Sequence, residues 1–230
     1  MPLNLSGCTF RVLLRWLLGA TFVVAGPLPA NWDLGRVLSG AQARYGILGE
    51  AEPRLRGWAG LLQSNNRQPA RQQLEAVNRF FNQHMAFRDD RSIWNQVDYW
   101  ASPVEALIKG AGDCEDFALA KYFSLRRLGM PTERLRITYV KSLTLNQAHM
   151  VLSYYVSDNS DPLVLDNLVD EILPASQRRD LLPVYAFNAE GLFLVEPLTG
   201  AITRGDPKQL SRWQGLLKRM RAEGFDVGAG

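Results

Sequence analysis

The hydrophobic period of this chain changes once, at Leu128-Gly129-Met130-Pro131, and that change constrains the fold more than any other feature. Before it, apolar residues recur at helical spacing. Leu74, Val77, Phe80 and Phe81 do so within 70–86, and Cys114, Ala118, Tyr122 and Leu125 share one face of a helix starting near Asp113. Pro69 stands where a helix start tolerates it, and Gly129 followed by Pro131 stops the helix that carries Cys114. After it, short runs rich in β-branched and aromatic residues predict strands at 134–140, 148–156, 163–166, 184–187 and 192–196. An amphipathic helix over 207–221, with Leu210, Trp213, Leu216, Leu217 and Met220, closes the chain. Of the rest, 26–35 reads as a linker, 35–65 as mixed helix and turn, 87–103 as a structured loop, and 103–109 as a short helix stopped by Gly110 and Gly112. Helices first and strands after predict a single α+β domain with a mostly antiparallel sheet.

The 230 residues are 47% hydrophobic and 21% charged, enough to bury a core without disulfide or metal staples. A net charge of +3, with no basic run interleaved with aromatics, argues against nucleic acid as a partner. Residues 1–25 contain no acid. Arg11 and Arg15 accompany an apolar stretch from Val12 to Ala25, and Val23-Val24-Ala25 offers a small-residue cleavage site. The pattern is that of an export signal, with an uncleaved anchor or a buried amphipathic helix as the alternative, and the stretch is shorter than the roughly 20 residues a spanning helix needs. Its removal leaves residues 26–230 as one domain, with 24 basic residues against 23 acidic. Cys8 leaves with it, so the exported chain keeps one thiol, Cys114. No HExxH or CxxC spacing and no GxSxG elbow occurs, which argues against a hydrolytic zinc enzyme or a serine hydrolase.

Gly110-Ala111-Gly112-Asp113-Cys114-Glu115-Asp116 places that thiol in the first turn of a helix. Unpaired N–H groups and the positive dipole end favour a thiolate there, and the Cys114 N–H is a candidate oxyanion donor. The glycines would let backbone approach a substrate closely. The adjacent carboxylates oppose the thiolate. A histidinium or a bound cation would resolve that conflict, while a small buried cysteine on an apolar face is the structural alternative.

Only two histidines are available. His84, in Asn82-Gln83-His84 at the polar end of a helix, reads as solvated or capping. His149 begins one predicted strand and Asp166 ends another, and Ser157-Asp158-Asn159-Ser160-Asp161-Pro162 between them is a strong turn signal. A hairpin centred on it makes His149 and Asp166 direct or diagonal cross-strand neighbours. An acid beside a histidine fixes its tautomer and stabilises the imidazolium; a polar pair at a hairpin edge is the alternative.

Cysteine on a helix start, then histidine and aspartate on successive strands, resembles the transglutaminase-like branch of the papain-type fold. The string Gly112-Asp113-Cys114-Glu115-Asp116-Phe117-Ala118-Leu119-Ala120-Lys121-Tyr122 is similar to the bacterial transglutaminase-like cysteine proteinases, and most closely to their LapG-type branch of periplasmic, adhesin-releasing proteases. Leu128-Gly129-Met130-Pro131, Ala148-His149-Met150-Val151-Leu152 and Val164-Leu165-Asp166-Asn167 extend the match over roughly 30–220.

The resemblance implies a papain-like core with a helical N-terminal part packed on the sheet. It implies Cys114 as nucleophile, His149 as general base and acid, and Asp166 as the residue that orients the histidine. It also implies dependence on Ca²⁺ through the acids flanking the cysteine, here Asp113, Glu115 and Asp116. Asp113 and Asp116 are also spaced like a helix-capping pair, and one segment cannot supply the roughly 6–8 oxygens calcium takes. A more distant carboxylate such as Asp98 would contribute, and Trp94 or Trp100 is a candidate further oxyanion donor. By the same resemblance the substrate is the N-terminal retention region of a large repeat-containing adhesin, cut at a pair of alanines. The partner is the periplasmic domain of an inner-membrane cyclic-di-GMP receptor, which holds the protease inactive. Two alternatives remain: an amide-transferring or deamidating enzyme with the same triad, and a catalytically silent calcium-binding module. Trp32, Trp58, Trp94 and Trp100 are candidates for an interface anchor, although burial is the commoner fate of tryptophan.

Overall fold

Three helices open the described chain: α1 (Leu34–Tyr45), α2 (Ala51–Asn65) and α3 (Ala70–His84). The computed structural model describes residues 34–157, 160–195, 202–206 and 210–227. The expected export signal, Cys8, Trp32 and all but the end of the expected linker lie outside the described residues. Helix α3 begins directly after Pro69 and buries Leu74, Val77, Phe80 and Phe81, the residues whose spacing predicts it.

The stretch 87–103 holds more than a loop. A two-residue strand β1 (Ala86–Phe87) precedes a short helix α4 (Asp90–Trp94), whose N-cap Asp89 accepts from the Ser92 amide. Helix α5 (Pro103–Lys109) has a capping box between Ser102 and Glu105, and it ends at Gly110 with φ 62° in the left-handed region that glycine enters without strain. Strand β2 (Ala111–Gly112) then pairs in parallel with β1, Ala86 opposite Ala111 and Phe87 opposite Gly112. This small ribbon fixes where the chain enters helix α6 (Cys114–Arg127).

Every residue of α6 from Asp116 to Leu125 is buried, so the apolar face legible in the sequence is only part of what packs. Helices α3 and α5 lie against it, as does strand β4 (Gln147–Tyr154). A helix enclosed on all sides shows weak amphipathicity. Its buried polar groups have partners: Ser124 Oγ accepts the Trp58 indole N–H at 2.8 Å, and Lys121 Nζ donates to the Asp166 carbonyl at 3.0 Å.

The sheet adds β3 (Leu135–Ser142), β5 (Leu163–Leu165), β6 (Leu173–Pro174), β7 (Leu181–Phe187), β8 (Leu192–Val195) and β9 (Ile202–Gly205). The spatial order is β6-β5-β4-β3-β7-β8-β9, and every adjacent pair is antiparallel. Strands β6 and β9 are additions to the expectation; both are edge strands too short to show a period. Strand β7 starts at Leu181, ahead of the expected 184, and runs through Pro183. The β3–β7 register shifts between Tyr139 and Val140, where Pro183, which has no N–H to give, is accommodated. Helix α7 (Ser211–Ala222) buries Trp213, Leu216, Leu217 and Met220, and Trp213 stacks on Phe123. The main core lies between the helices and one sheet face, while the other face carries a small cluster of Val140, Val151 and Val164. The architecture is the expected α+β one, with helices first and an antiparallel sheet after. Among the described residues, no helix is long and apolar enough to cross a membrane.

Candidate active site

Cys114 is the first residue of α6, and Asp113 occupies the N-cap without making a side-chain cap bond. Gly112 has a different purpose from the one its sequence position suggests. A Cβ there would lie 2.6 Å from the Asp116 Cβ and 2.9 Å from Met85 Cε, so glycine lets β2 lie against the first turn of α6. Cys114 is a free thiol, partly buried, and its Sγ donates to Glu115 Oε2 at 3.1 Å. Burial, then the charge and hydrogen bond of Glu115, then Asp113 push the thiol well above its ordinary range, while the Met150 amide favours the thiolate. Burial and the carboxylates thus favour the neutral thiol at this sulfur.

His149 and Asp166 meet through the hairpin. Leu152 pairs with Leu165 and Ser153 with Val164, so Asp166, one place beyond β5, falls opposite Val151 and diagonal to His149. His149 Nε2 lies 2.8 Å from Asp166 Oδ1, and both residues are buried. Asp166 is held from every side. Its Oδ1 also accepts the Leu168 amide at 3.0 Å, and its Oδ2 accepts Arg178 Nη2 at 2.7 Å. Its carbonyl accepts from Lys121 Nζ and from Asn82 Nδ2 at 2.9 Å. Burial raises the Asp166 pKa, but the His149 contact, the Leu168 amide and Arg178 together bring it down to about 2. Arg178, which also binds Asp180, is absent from the sequence expectations. It enters from a 3₁₀ turn distant in sequence from the motif, and no local pattern marks it.

Cys114 and His149 line one cleft of about 680 Å³, with Trp100, Tyr139, Leu168 and Tyr185 among its walls. A thiol and an imidazole oriented by a carboxylate are the elements of nucleophilic acyl transfer. His84 lies apart, exposed, stacked on Phe80 with Nδ1 2.8 Å from the Phe80 carbonyl, in keeping with a capping role.

Asp113 and Glu115 also border the cleft, and with Asp90 they bring one carboxylate oxygen each within 4.8 Å of one another. Asp90 opens α4, and its only sequence signal is the Asp89-Asp90 pair. Asp116 sits behind this trio, with Oδ1 accepting the Ala101 amide at 2.7 Å. Burial and neighbouring carboxylates raise Asp113 and Asp116 well above the ordinary range. For Asp90, burial, partly offset by the Tyr99 amide, gives about 6. Asp90 Oδ1, Asp113 Oδ1 and Asp116 Oδ2 are buried without a partner. Crowded hard oxygens left unsatisfied in this way fit a divalent cation such as Ca²⁺. Asp98 lies outside this trio. It pairs with Arg212 at 2.8 Å. Trp94 packs on Tyr99 and Lys109 and does not line the cleft. Trp58 and Trp100 are buried.

The family model described as bacterial transglutaminase-like cysteine proteinase matches residues 60–179, which contain Cys114, His149, Asp166, Arg178 and the acidic trio. Among solved structures, Legionella pneumophila LapG is 48% identical, with a TM-score of 0.70 over 80% of this chain and 97% of that one. An EGTA-treated form of it is 48% identical, with a TM-score of 0.71 over 80% and 97%. A calcium-bound form is 47% identical, with a TM-score of 0.70 over 81% and 98%. No curated protein matches the chain. A family match over more than half the chain, joined to this identity across four fifths of it, places the protein among the bacterial transglutaminase-like cysteine proteinases, and it is a cysteine peptidase.

Proposed function

We propose that the protein is a calcium-dependent periplasmic cysteine endopeptidase that cleaves the N-terminal retention region of a large surface adhesin, releasing it and promoting biofilm dispersal. The observation that carries the peptidase assignment is the 2.8 Å His149–Asp166 pair beside the cleft that Cys114 also lines. In this mechanism Cys114 Sγ attacks the scissile carbonyl and His149 takes the thiol proton, later giving it to the leaving amine. Asp166, held ionised by His149, the Leu168 amide and Arg178, keeps the ring oriented and stabilises the imidazolium. The Cys114 backbone N–H donates to the oxyanion. Water then hydrolyses the thioester, with His149 as base.

Asp90, Asp113 and Glu115 would hold the cation, with Asp116 behind them. Bound there, Ca²⁺ supplies positive charge that offsets the carboxylate field on the thiol. The orphaned oxygens support this assignment, as does the calcium-bound form of the Legionella protein. Location and substrate rest on the acid-free, signal-like segment 1–25 and on the LapG-type motif. The inhibitory partner, the periplasmic domain of an inner-membrane cyclic-di-GMP receptor, rests on that motif alone.

The test incubates residues 26–230 with the N-terminal region of the candidate adhesin, in Ca²⁺ and in EGTA, beside a Cys114→Ala variant. Cleavage is expected only with Ca²⁺ and Cys114. Cleavage by Cys114→Ala would overturn the nucleophile, and full cleavage in EGTA would remove the metal from the mechanism. Incorporation of an added primary amine in place of hydrolysis would instead mark an acyl transferase.

A further inference from the structure

The sheet face turned away from the helices has its own cavity, of about 320 Å³, outside the catalytic cleft. The strand registers lay out its floor. Arg136, Thr138 and Val140 alternate on one face of β3. Val151 and Ser153 stand opposite Thr138 and Arg136 on β4, and Val164 stands opposite Ser153 on β5. Val140, Val151 and Val164 form a small apolar cluster of their own, with Ala175 and Leu181 packed against it. The Thr138 and Ser153 hydroxyls bond each other at 2.8 Å, which removes them as competitors for a ligand.

Two arginines line this cavity, and both are more than nine-tenths buried: Arg136 is 8% exposed and Arg178 4%. Arg178 has its charge offset by Asp166 and Asp180, but its Nη1 is buried without a partner. The Arg136 guanidinium lies between two rings, 4.2 Å from the Tyr155 centroid and 4.1 Å from that of Phe193. Its Nε too is buried without a partner, and among the described residues no carboxylate pairs with it. Ring faces stabilise a cation but accept no conventional hydrogen bond from it. A guanidinium this enclosed is costly unless an anion meets it. An apolar floor with a buried cation lacking its anion is complementary to one kind of molecule.

We propose that this outer-face cavity is a binding site for a small apolar carboxylate, its hydrocarbon part on Val140, Val151 and Val164 and its head on the guanidinium of Arg136. The cavity volume lies at the small end of ligand sites, which suits a chain of about eight carbons. Arg178 borders the same cavity and holds Asp166, so the site adjoins the catalytic pair without sharing the cleft.

The probe is octanoate, with 1-octanol as its uncharged counterpart, titrated into residues 26–230 while valine, alanine and methionine methyl signals are followed by NMR. Saturable shifts are expected at Val140, Val151 and Val164, with octanoate bound at least about ten-fold more tightly than octanol because its contact is charge-assisted. In Arg136→Met the preference for the carboxylate is expected to vanish, with both probes binding alike. In Ala175→Phe, which puts a ring into the cavity against the valines, the shifts are expected to be lost. Equal binding of the two probes by the unaltered chain would overturn the proposal. So would an undiminished carboxylate preference in Arg136→Met, or shifts confined to the cleft residues Ala148 and Met150. No saturable shift at all in the unaltered chain would also sink it, independently of whether either variant folds.

Discussion

His149 and Asp166 are joined at 2.8 Å although the two are not partners in the ladder: Asp166 lies one place past the end of β5, diagonal to His149 on the neighbouring strand β4. Because the strand stops there, the carboxylate is free to accept from the imidazole, the Leu168 amide and Arg178 together. Asp166→Asn keeps the shape and removes the charge. Its kcat for peptide cleavage is expected to fall by about 10²–10⁴, with the circular dichroism spectrum retained. A variant within a factor of two of the parent would show that the pair has no part in turnover.

Acid sensitivity follows from the same residue. The Asp166 pKa is lowered from 3.8 to about 2 in the folded chain. It therefore contributes stability above about pH 4 that disappears as pH falls through about 2, amounting to about 2 kcal/mol. Urea unfolding between pH 5 and pH 2 should show this loss in the parent. In Asp166→Asn that part of the pH dependence should be missing. Identical slopes in the two proteins would contradict the assignment.

Lys121 has the opposite sign. It is 1% exposed, and burial lowers its pKa from 10.5 to about 7, against the raising effect of Asp166 and Asp170. Between pH 7 and 10.5 the unfolded chain binds the extra proton, so stability rises with pH across that window and the penalty is largest below pH 7. Lys121→Met loses the hydrogen bond to the Asp166 carbonyl, worth about 1–3 kcal/mol. It is nonetheless expected to be the more stable protein below pH 7, with the advantage shrinking toward pH 10. Denaturant titrations at three pH values decide this, and a pH-independent difference would rule it out.

Calcium is expected to raise Tm as well as activity. At a free concentration 100-fold above Kd, binding to the folded chain alone adds about 2.7 kcal/mol. Asp90→Asn removes charge from the trio without touching the cysteine motif, and should shift the midpoint of a Ca²⁺ titration of Tm to higher concentration. An unchanged midpoint would place the ion elsewhere.

Gly112→Ala forces a methyl against the Asp116 side chain and Met85. The expected cost is about 1–3 kcal/mol of overpacking, read as a lower urea midpoint at unchanged m-value. A neutral substitution would mean that β2 can move away from α6.

Much of this architecture was legible from the residues in order. The helical spacing over 70–86 is the buried face of α3, the short helix at 103–109 is α5, and the change of period at Leu128-Gly129-Met130-Pro131 is the passage from helices to sheet. Strands β6 and β9 were not legible, because two- and four-residue edge strands owe their pairing to neighbours more than to their own composition. The hairpin signal allowed His149 and Asp166 to be direct or diagonal neighbours, and the observed register selects the diagonal.

The sequence by itself determined the chemistry on offer: a thiol on a helix start, one strand histidine, an aspartate within reach, and acids around the cysteine. Local spacing suffices for this, since each motif lies within one element or one hairpin. Only the tertiary structure decided how those groups are charged and held. It brought Arg178 onto Asp166 from a separate turn and drew Asp90 into the acidic trio from another helix. It also placed Asp116 behind that trio, on the Ala101 amide. Burial and through-space charge set these ionisation states, and both depend on which distant elements pack together, which no local pattern encodes.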